Sequence, residues 1–329
     1  MMSTSDTASL GLTSQRNPST GPRVVALGGG HGLSATLRAL RQITDQLTAV
    51  VTVGDDGGSS GVLRRDLDVI PVGDLRMALA AMAADGAETS LWADALQHRF
   101  DRGDLQGHPV GNLLLVALID LMGDPVRALD RAGALLGVVG RVLPMCRTGV
   151  DIVAEVERVP DEVSIVRGQV AVATTTGRVI RIGIEPAEPQ VPHEVIDAVQ
   201  HADAIVLGPG SWFTSVLPHL VVPELRDSIA SSAAQRIVTM NLAPQPGETG
   251  GYEVHDYLHA LVQHAPGLSI DRIVVDPQSV AHGDALDAAA SQLGATVDLL
   301  PVASSTPGIH DVAALASAYD KILTSERVA

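Results

Sequence analysis

Aromatic residues make up only 2% of this 329-residue chain. The core must therefore be built from aliphatic side chains, of which the branched ones favour buried parallel strands and alanine favours helices. A single cysteine, Cys146, excludes an internal disulfide and is typical of a protein from a reducing compartment. Long apolar runs are also missing, which excludes a membrane-spanning helix.

The chain does not begin with a recognisable secretory signal. Residues 1–22 are rich in Ser, Thr and Gly, but they have neither a basic start nor an apolar centre. We interpret them as a disordered N-terminal tail that precedes a single domain over residues 23–329. Together with the cysteine content, this predicts a cytoplasmic protein with no membrane insertion.

Basic residues are few: 22 Lys and Arg stand against 38 Asp and Glu, which gives a formal net charge of −16. A surface this acidic repels the phosphates of nucleic acids and anionic lipids, so we expect no nucleic-acid partner. A small anionic ligand stays compatible with the composition. It would require a local pocket of backbone N–H groups and a few basic side chains.

Strand-like and helix-like segments alternate along most of the chain, as in RVVAL followed by LSATLRALRQI. Repeated strand–helix units predict an α/β fold with a mostly parallel sheet and helices on both faces. Residues 141–190 differ, because short strand-like runs follow one another there without helices. This pattern predicts a small β-rich insertion, most simply an antiparallel one.

Four loops rich in glycine and small polar residues follow probable parallel strands. They are GGGHGLS (28–34), GDDGGSSG (54–61), GPGSWFTS (208–215) and NLAPQPGETGG (241–251). In a parallel sheet the carboxyl ends of the strands share one edge, where ligands bind. The four loops together therefore predict a ligand cleft at that edge.

The first of these loops matches neither common phosphate-binding motif. Leu33 stands where the dinucleotide fingerprint requires its last glycine, and the loop lacks the lysine of a Walker motif. Glycines nevertheless let a backbone approach a phosphate at a helix start, which we favour over a plain tight turn. His31 either donates to the ligand or is a solvated loop histidine.

Two adjacent carboxylates, Asp55 and Asp56, follow the second strand. An acidic residue at this place often accepts from a ribose hydroxyl, and two of them can hold Mg²⁺ beside phosphates. A solvated turn is the alternative. Adjacent side chains on an extended chain point apart, so we expect only one of the two carboxylates to face the cleft.

The segment GPGSWFTSV is a second candidate anion site. Ser211 and Thr214 lie at a predicted helix start, where their hydroxyls could reach a phosphate or simply cap the helix. Arg76 is the best early basic residue for charge compensation. Asn112 lies in an apolar helical stripe, where its amide could bind a ligand or a neighbouring loop.

No motif for nucleophilic or zinc catalysis is recognisable in the chain. The segments GGGHGLSATLRAL, VVTVGDDGGSSGVLR, PVGDLRMALAAMA, GDLQGHPVGNLLLVAL, LGPGSWFTSVLPHLVVP and PQPGETGGY occur in this order. Together they resemble the bacterial YvcK-like proteins, often called gluconeogenesis factors, of the CofD-like superfamily. The chain departs from that family at His31, where a threonine is usual, and at His310, where a basic residue is usual.

The resemblance implies a Rossmann-like three-layer α/β/α sandwich in the cytoplasm. It also implies binding of UDP-sugars, notably UDP-N-acetylglucosamine, and support of cell shape and peptidoglycan synthesis, especially during gluconeogenic growth. Partners implied are the cell-wall machinery and a Ser/Thr kinase, with Thr324 and Ser325 as candidate phosphoacceptors, and a homodimer is possible. The ligand diphosphate would lie between the GGGHG and GPGS loops.

Two other functions stay open. One is a Mg²⁺-dependent transfer of a phospholactyl-type group onto a deazaflavin, as in the related CofD enzymes, with Asp55 and Asp56 as catalytic or metal-binding residues. The other is NAD binding. The predicted ligand-binding residues are Gly28, Gly29, Gly30, His31, Gly32, Ser34, Asp55, Asp56, Gly57, Ser59, Arg76, Asn112, Gly208, Pro209, Gly210, Ser211, Thr214 and Asn241.

Overall fold

The computed structural model describes residues 21–159 and 162–325, and the statements below concern those residues. The strands are β1 (Val24–Gly28), β2 (Leu47–Val51), β3 (Arg141–Pro144), β4 (Asp151–Val159), β5 (Glu162–Arg167), β6 (Arg178–Glu185), β7 (Ala204–Leu207), β8 (Gln235–Thr239), β9 (Arg272–Val275) and β10 (Thr296–Leu299).

The helices follow the same alternation. They are α1 (Gly30–Leu40), α2 (Gly58–Leu67), α3 (Gly73–Ala81), α4 (Ala87–Gln97), α5 (Val110–Met122), α6 (Pro125–Leu136), α7 (Gln169–Ala173), α8 (His193–Gln200), α9 (Pro218–Val221), α10 (Pro223–Ser231), α11 (Val254–His264), α12 (Gly283–Gln292) and α13 (Val312–Thr324). A π-helical turn covers Trp212–Val216 and a 3₁₀ turn covers Pro277–Ser279.

Seven strands form one parallel sheet in the order β10-β9-β8-β7-β1-β2-β3. The chain builds one half of the sheet outward from β1, then returns to place β7 on the other side of β1. The boundary between β1 and β7 is therefore the point at which the strand order reverses. Ligands bind at such switch points in open α/β sheets, because the loops on either side of them diverge.

The centre of this sheet is buried on both faces. Every residue of β1, β7 and β8 is buried. Burial on both faces explains why β1 and β7 are continuous apolar runs, whereas β8 also buries Gln235, Arg236 and Thr239. The few aromatic side chains do not dominate this core, although Trp212, Phe213 and Tyr319 are fully buried within it. The predicted α/β fold with a mostly parallel sheet is confirmed.

A second sheet has three antiparallel strands in the order β5-β4-β6. It confirms a small antiparallel element, but the predicted start of that element at residue 141 is wrong. Strand β3 pairs in parallel with β2, with Arg141 opposite Thr48, and is the edge strand of the main sheet. No helix separates β3 from β4 in the chain. The two strands therefore look like parts of one insertion in the sequence, although they belong to different sheets.

Two local predictions are also wrong. The alternating segment after Gly168 was expected to be a strand, but it forms α7. Gly168, at φ +94°, ends the preceding strand, and the Asp56 carboxylate accepts the Val170 N–H at 2.9 Å in the first turn of α7. The GSSG part of the second loop (58–61) is the start of α2.

Other expectations are resolved by this structure. Asp124 caps α6 by accepting the Arg127 N–H at 2.9 Å, as its position before a proline predicts. None of the helices described is long and apolar enough to cross a membrane. The predicted N-terminal tail lies outside the described residues, except for Gly21 and Pro22.

Candidate functional site

A polar cavity of about 250 Å³ lies at the carboxyl ends of β1, β2 and β7. We call it the phosphate cavity. It is thus at the switch point of the sheet, where the sequence predicted a cleft. The residues that line it are Gly29, Gly30, His31, Gly32, Thr52, Asp55, Asp74, Gln169, Gly210, Ser211, Thr214, Ser215 and Gln245.

One wall of the phosphate cavity is the start of α1. No side chain caps this helix, and the first N–H that finds a helical carbonyl is that of Leu33, which donates to the Gly29 carbonyl. The Gly30 N–H is directed to the Asp74 carboxylate, whereas the N–H groups of His31 and Gly32 have no helical carbonyl to bond and stay available at the cavity. An uncapped helix start carries partial positive charge and donors, which together favour an anion.

The second wall is the GPGS loop, which touches the first wall backbone to backbone. A Cβ atom on Gly32 would lie 2.2 Å from the Pro209 carbonyl oxygen, so only glycine permits this approach. Asn241 holds the loop from behind: its Oδ1 accepts the Gly210 N–H at 2.9 Å, and its Nδ2 donates to the Gly210 carbonyl at 2.8 Å. The structure therefore brings together the two loops that the sequence predicted as one site.

Two carboxylates face the phosphate cavity, and they are not the adjacent pair of the sequence. Asp55 lines it and accepts the Gly57 N–H at 2.9 Å, whereas the exposed Asp56 is directed to α7. The expected divergence of the two neighbours is confirmed. The second carboxylate in the cavity is Asp74, from the first turn of α3.

The pKa of Asp74 lies well above the ordinary value of an aspartate. Burial, followed by the charge of Asp55, raises the pKa of Asp74 to about 6, although the Gly30 N–H and Arg76 act in the opposite direction. Gly29 lies directly against it, since a Cβ there would be 2.5 Å from Asp74 Oδ2. The carboxylates are thus packed close to the helix start that would hold an anion.

No group of three or more His, Cys, Asp or Glu side chains among the described residues is arranged to hold a metal ion. Asp55 and Asp74 nevertheless fit Mg²⁺ in combination with a ligand. Mg²⁺ is usually bound by one or two carboxylates plus substrate phosphates, and it would offset the repulsion between these carboxylates and a diphosphate. Asp56 does not line the cavity, so its predicted metal role stays a prediction.

Three predicted ligand residues form a polar network beside the cavity. Arg76 Nε donates to Asn112 Oδ1 at 2.9 Å, and Asn112 Nδ2 donates to Ser59 Oγ at 3.0 Å. Burial lowers the pKa of Arg76 to about 10. Asn112 is therefore bonded to side chains of α2 and α3. None of the three side chains lines the phosphate cavity, and a direct ligand contact for them stays a prediction.

A second cavity, of about 590 Å³, adjoins the first and shares His31 and Gly32 with it. We call it the side cavity. Ser34 lines it, and so do the apolar side chains of Ala35, Met77, Ala80, Ala93, Ile309 and Val312 and the polar ones of Arg38, Asp94, Gln97 and His310. His31 therefore lies where the two cavities meet, a place that its sequence position did not reveal.

The remaining predicted glycines support the loops. The Gly28 carbonyl ends β1 and accepts the Thr52 N–H at 3.0 Å, while Gly57 precedes α2. The Gly208 carbonyl accepts from the Thr36 hydroxyl at 3.0 Å. These residues shape the walls of the phosphate cavity without lining it.

The cavity also contains polar side chains that the sequence reasoning did not select. Thr52, Gln169, Ser215 and Gln245 line it together with Asp74. Thr52 Oγ1, Thr214 Oγ1 and Gln245 Oε1 are buried and have no hydrogen-bond partner among the described residues. Buried polar atoms are nearly always paired, so these three indicate a polar ligand or bound water.

Comparison with known proteins identifies relatives over most of the chain. The family of 2-phospho-L-lactate transferase CofD matches residues 24–309. A "Putative gluconeogenesis factor" of Mycobacterium tuberculosis is 49% identical over 306 residues, which cover 91% of this chain and 90% of that protein. The "Gluconeogenesis factor" of Bacillus subtilis is 38% identical and covers 79% of this chain and 80% of its own length.

A solved structure supports the same relationship. The crystal structure of a UPF0052 family member from Bacillus halodurans superposes with a TM-score of 0.83 and 32% sequence identity. The match covers 91% of this chain and 98% of that one.

Proposed function

Because this chain belongs to the CofD-like family that includes the gluconeogenesis factors, we propose that it binds a UDP-sugar, UDP-N-acetylglucosamine, as a non-catalytic regulator. The observation that carries the proposal is the contact between two glycine loops at the switch point of the sheet. The uncapped start of α1 and the unpaired side chains of Thr52 and Thr214 face the same small cavity.

The two cavities differ in a way that suits the two parts of such a ligand. The phosphate cavity is small and lined by the two glycine loops, by hydroxyl side chains and by Asp55 and Asp74. The loops and hydroxyls suit a diphosphate, and the two carboxylates suit a Mg²⁺ bound beside it. The side cavity is larger and has apolar walls with a few polar side chains, as is typical of sites that hold a ring system. His31 and Gly32 join them, so one ligand can occupy both.

Local donors explain how an acidic protein can hold an anion. The net charge is −16, and the Arg76 side chain is engaged with Asn112 rather than exposed in the cavity. Backbone dipoles act over short distances, and Mg²⁺ held by Asp55 and Asp74 would supply the missing positive charge next to the phosphates. We therefore expect Mg²⁺ to strengthen binding.

The cellular role that we propose is the coupling of UDP-sugar supply to cell shape and peptidoglycan synthesis during gluconeogenic growth, in the cytoplasm. The names of the relatives support the link to gluconeogenesis. Contacts with the cell-wall machinery and a homodimer belong to the same proposal. Thr324 and Ser325, proposed kinase targets, are exposed at the end of α13.

Isothermal titration with UDP-N-acetylglucosamine, with and without Mg²⁺, tests the proposal. We expect saturable binding that Mg²⁺ strengthens, and weaker binding of UDP, GDP and NAD in parallel titrations. Absence of binding at millimolar UDP-N-acetylglucosamine would refute the proposal. Tighter binding of NAD would instead favour the dinucleotide alternative.

A CofD-like transferase is the second candidate, favoured by the pair Asp55 and Asp74 and by the family match over residues 24–309. Mg²⁺ would stabilise the charge that develops on the transferred phosphoryl group. Asp55 and Asp74 would orient the metal, and the two glycine loops would hold the diphosphate. Incubation with a phospholactyl nucleotide donor and a deazaflavin, followed by mass spectrometry, tests it. Product that disappears in Asp55→Asn would establish the transferase.

A further inference from the structure

Glu248 is a buried carboxylate next to the phosphate cavity. It lies in the loop after β8 with only 2% of its surface exposed, and neither carboxylate oxygen has a hydrogen-bond partner among the described residues. Burial raises the pKa of Glu248 to about 7, although the nearby Thr214 hydroxyl and the N–H groups of Trp212 and Phe213 act in the opposite direction. A carboxyl group in such surroundings is more stable neutral than ionised.

Thr214 is the neighbour that Glu248 shares with the phosphate cavity, because its hydroxyl is one of the groups that favour the ionised Glu248 carboxylate. Its side chain is 1% exposed, lines the phosphate cavity, and has no partner of its own among the residues described. A hydroxyl group has one proton to donate and can accept from other donors. The Thr214 hydroxyl therefore cannot donate to an ionised Glu248 and to a bound anion at the same time.

Protonation of Glu248 removes this conflict. A neutral Glu248 can donate its proton to Thr214 Oγ1, and Thr214 can then donate its own proton to the anion. All three groups are satisfied in this arrangement. The proton is taken from solvent, and no covalent bond other than the new O–H bond of the carboxyl group changes.

We propose that Glu248 takes up a proton when an anion enters the phosphate cavity, and that it is a positioning residue which turns the Thr214 hydroxyl toward the ligand. The inference rests on the proposed function, because it requires an anionic ligand in this cavity. The affinity of the phosphate cavity for an anion is then linked to the protonation of Glu248. Binding weakens as the pH rises above neutrality, because the proton becomes harder to supply.

The other titratable groups around Glu248 do not replace it in this role. Tyr252, from the same loop, and Tyr257, from α11, have pKa values that are raised by burial and to a smaller extent by Glu248. Both are therefore neutral near pH 7. Arg178, from β6, lines the same surface cavity as Glu248. Its charge and its hydrogen bond, however, act on Tyr252 and lower the pKa of that side chain. The neighbouring Thr175 of the segment after α7 is uncharged.

Proton uptake can be measured by titrating UDP-N-acetylglucosamine into the full chain in two buffers with different ionisation enthalpies. The diphosphate of this ligand is a diester and does not titrate near neutrality. We expect Glu248 to contribute nearly one proton per ligand at pH 8 and little at pH 6, where it is already protonated. Because His31, Asp55 and Asp74 also face the ligand, the informative quantity is the difference between variant and wild type.

Glu248→Gln is the test variant, because its amide can donate to Thr214 without titrating. We expect it to bind the ligand while taking up nearly one proton fewer at pH 8, with an affinity that depends less on pH. Glu188→Gln, at an exposed glutamate, is the matched control and should take up as many protons as wild type. Equal uptake in Glu248→Gln and wild type would overturn the inference.

Infrared difference spectroscopy keeps the test independent of the folding of Glu248→Gln. Addition of the ligand to wild type at pH 8 should produce the carbonyl band of a protonated carboxylic acid, and the band should persist in Asp74→Asn. Loss of the band in Asp74→Asn would assign the proton to Asp74 and overturn the inference. Failure of wild type to bind at all would refute the proposed function instead, so the two failures are distinguishable.

Discussion

The contact between Gly32 and the GPGS loop can be tested by adding a single methyl group. In Gly32→Ala the new Cβ would lie 2.2 Å from the Pro209 carbonyl oxygen and 2.7 Å from its carbon. Both distances are well below van der Waals separation, and the atoms contacted are backbone atoms that no rotamer change can move. One wall of the phosphate cavity must therefore shift by about 1 Å relative to the other.

Overpacking of this kind costs about 1–3 kcal/mol. If the loss falls on the bound state, the dissociation constant of UDP-N-acetylglucosamine rises by roughly 5- to 150-fold. If it falls on the fold, the melting temperature decreases. Titration calorimetry and thermal unfolding of the same sample separate the two contributions, and we expect both to change because the loops support the cavity and each other.

Gly283→Ala is the matched control for Gly32→Ala. Gly283 begins α12, its φ is not positive, and a Cβ there would meet no atom within 4 Å. Alanine is the better helix former, so this variant should bind as wild type does and be as stable or slightly more stable. If Gly32→Ala bound and melted like wild type, the described contact between the loops would be incorrect.

Three further predictions concern stability and metal dependence. Since the pKa of Glu248 is about 7 against an ordinary 4.5, the folded state holds this proton more tightly, and stability falls as the pH rises through that range. In urea titrations Glu248→Gln should then be more stable than wild type by up to about 3 kcal/mol at pH 8, and the difference should vanish below pH 4. An equal difference at both pH values would contradict this expectation. Tyr319→Phe removes a hydroxyl 2.8 Å from Thr239 Oγ1 and should lower the free energy of unfolding by about 1–2 kcal/mol, whereas an unchanged urea midpoint would show that this bond contributes nothing. Asp55→Asn should abolish the Mg²⁺ dependence of ligand binding and Asp56→Asn should preserve it; the reverse result in titration calorimetry would return the metal role to Asp56.

Pattern and spacing predicted the parallel sheet well, because β1 and β7 at its centre are short apolar runs and helical segments alternate with the strands. Residues 141–144 and 169–173 were harder to place. A four-residue strand carries no signal for the sheet that it joins. The alternating apolar side chains of α7 favour a strand, and only the distant Asp56 carboxylate at its first turn favours a helix.

In the candidate site, too, the location could be predicted from the sequence and the contacts of individual side chains could not. Glycine-rich loops after successive strands predicted where the cavity lies, since the carboxyl ends of parallel strands meet at one edge. The partners of individual side chains could not be predicted, because they come from residues far apart in the chain. Arg76 is bonded to Asn112, Asp74 lies against the Gly29 backbone, and His31 lies between two cavities.

The sequence by itself determined the class of fold, the edge of the sheet at which the cavity lies and the need for glycine in the loops, because these depend on local periodicity and backbone freedom. Only the tertiary structure decided which of two adjacent aspartates faces the cavity and that Asp74 joins it. It also decided that Glu248 is buried. Burial and charge proximity depend on segments that the fold brings together, and these set the pKa values and the hydrogen bonds on which binding depends.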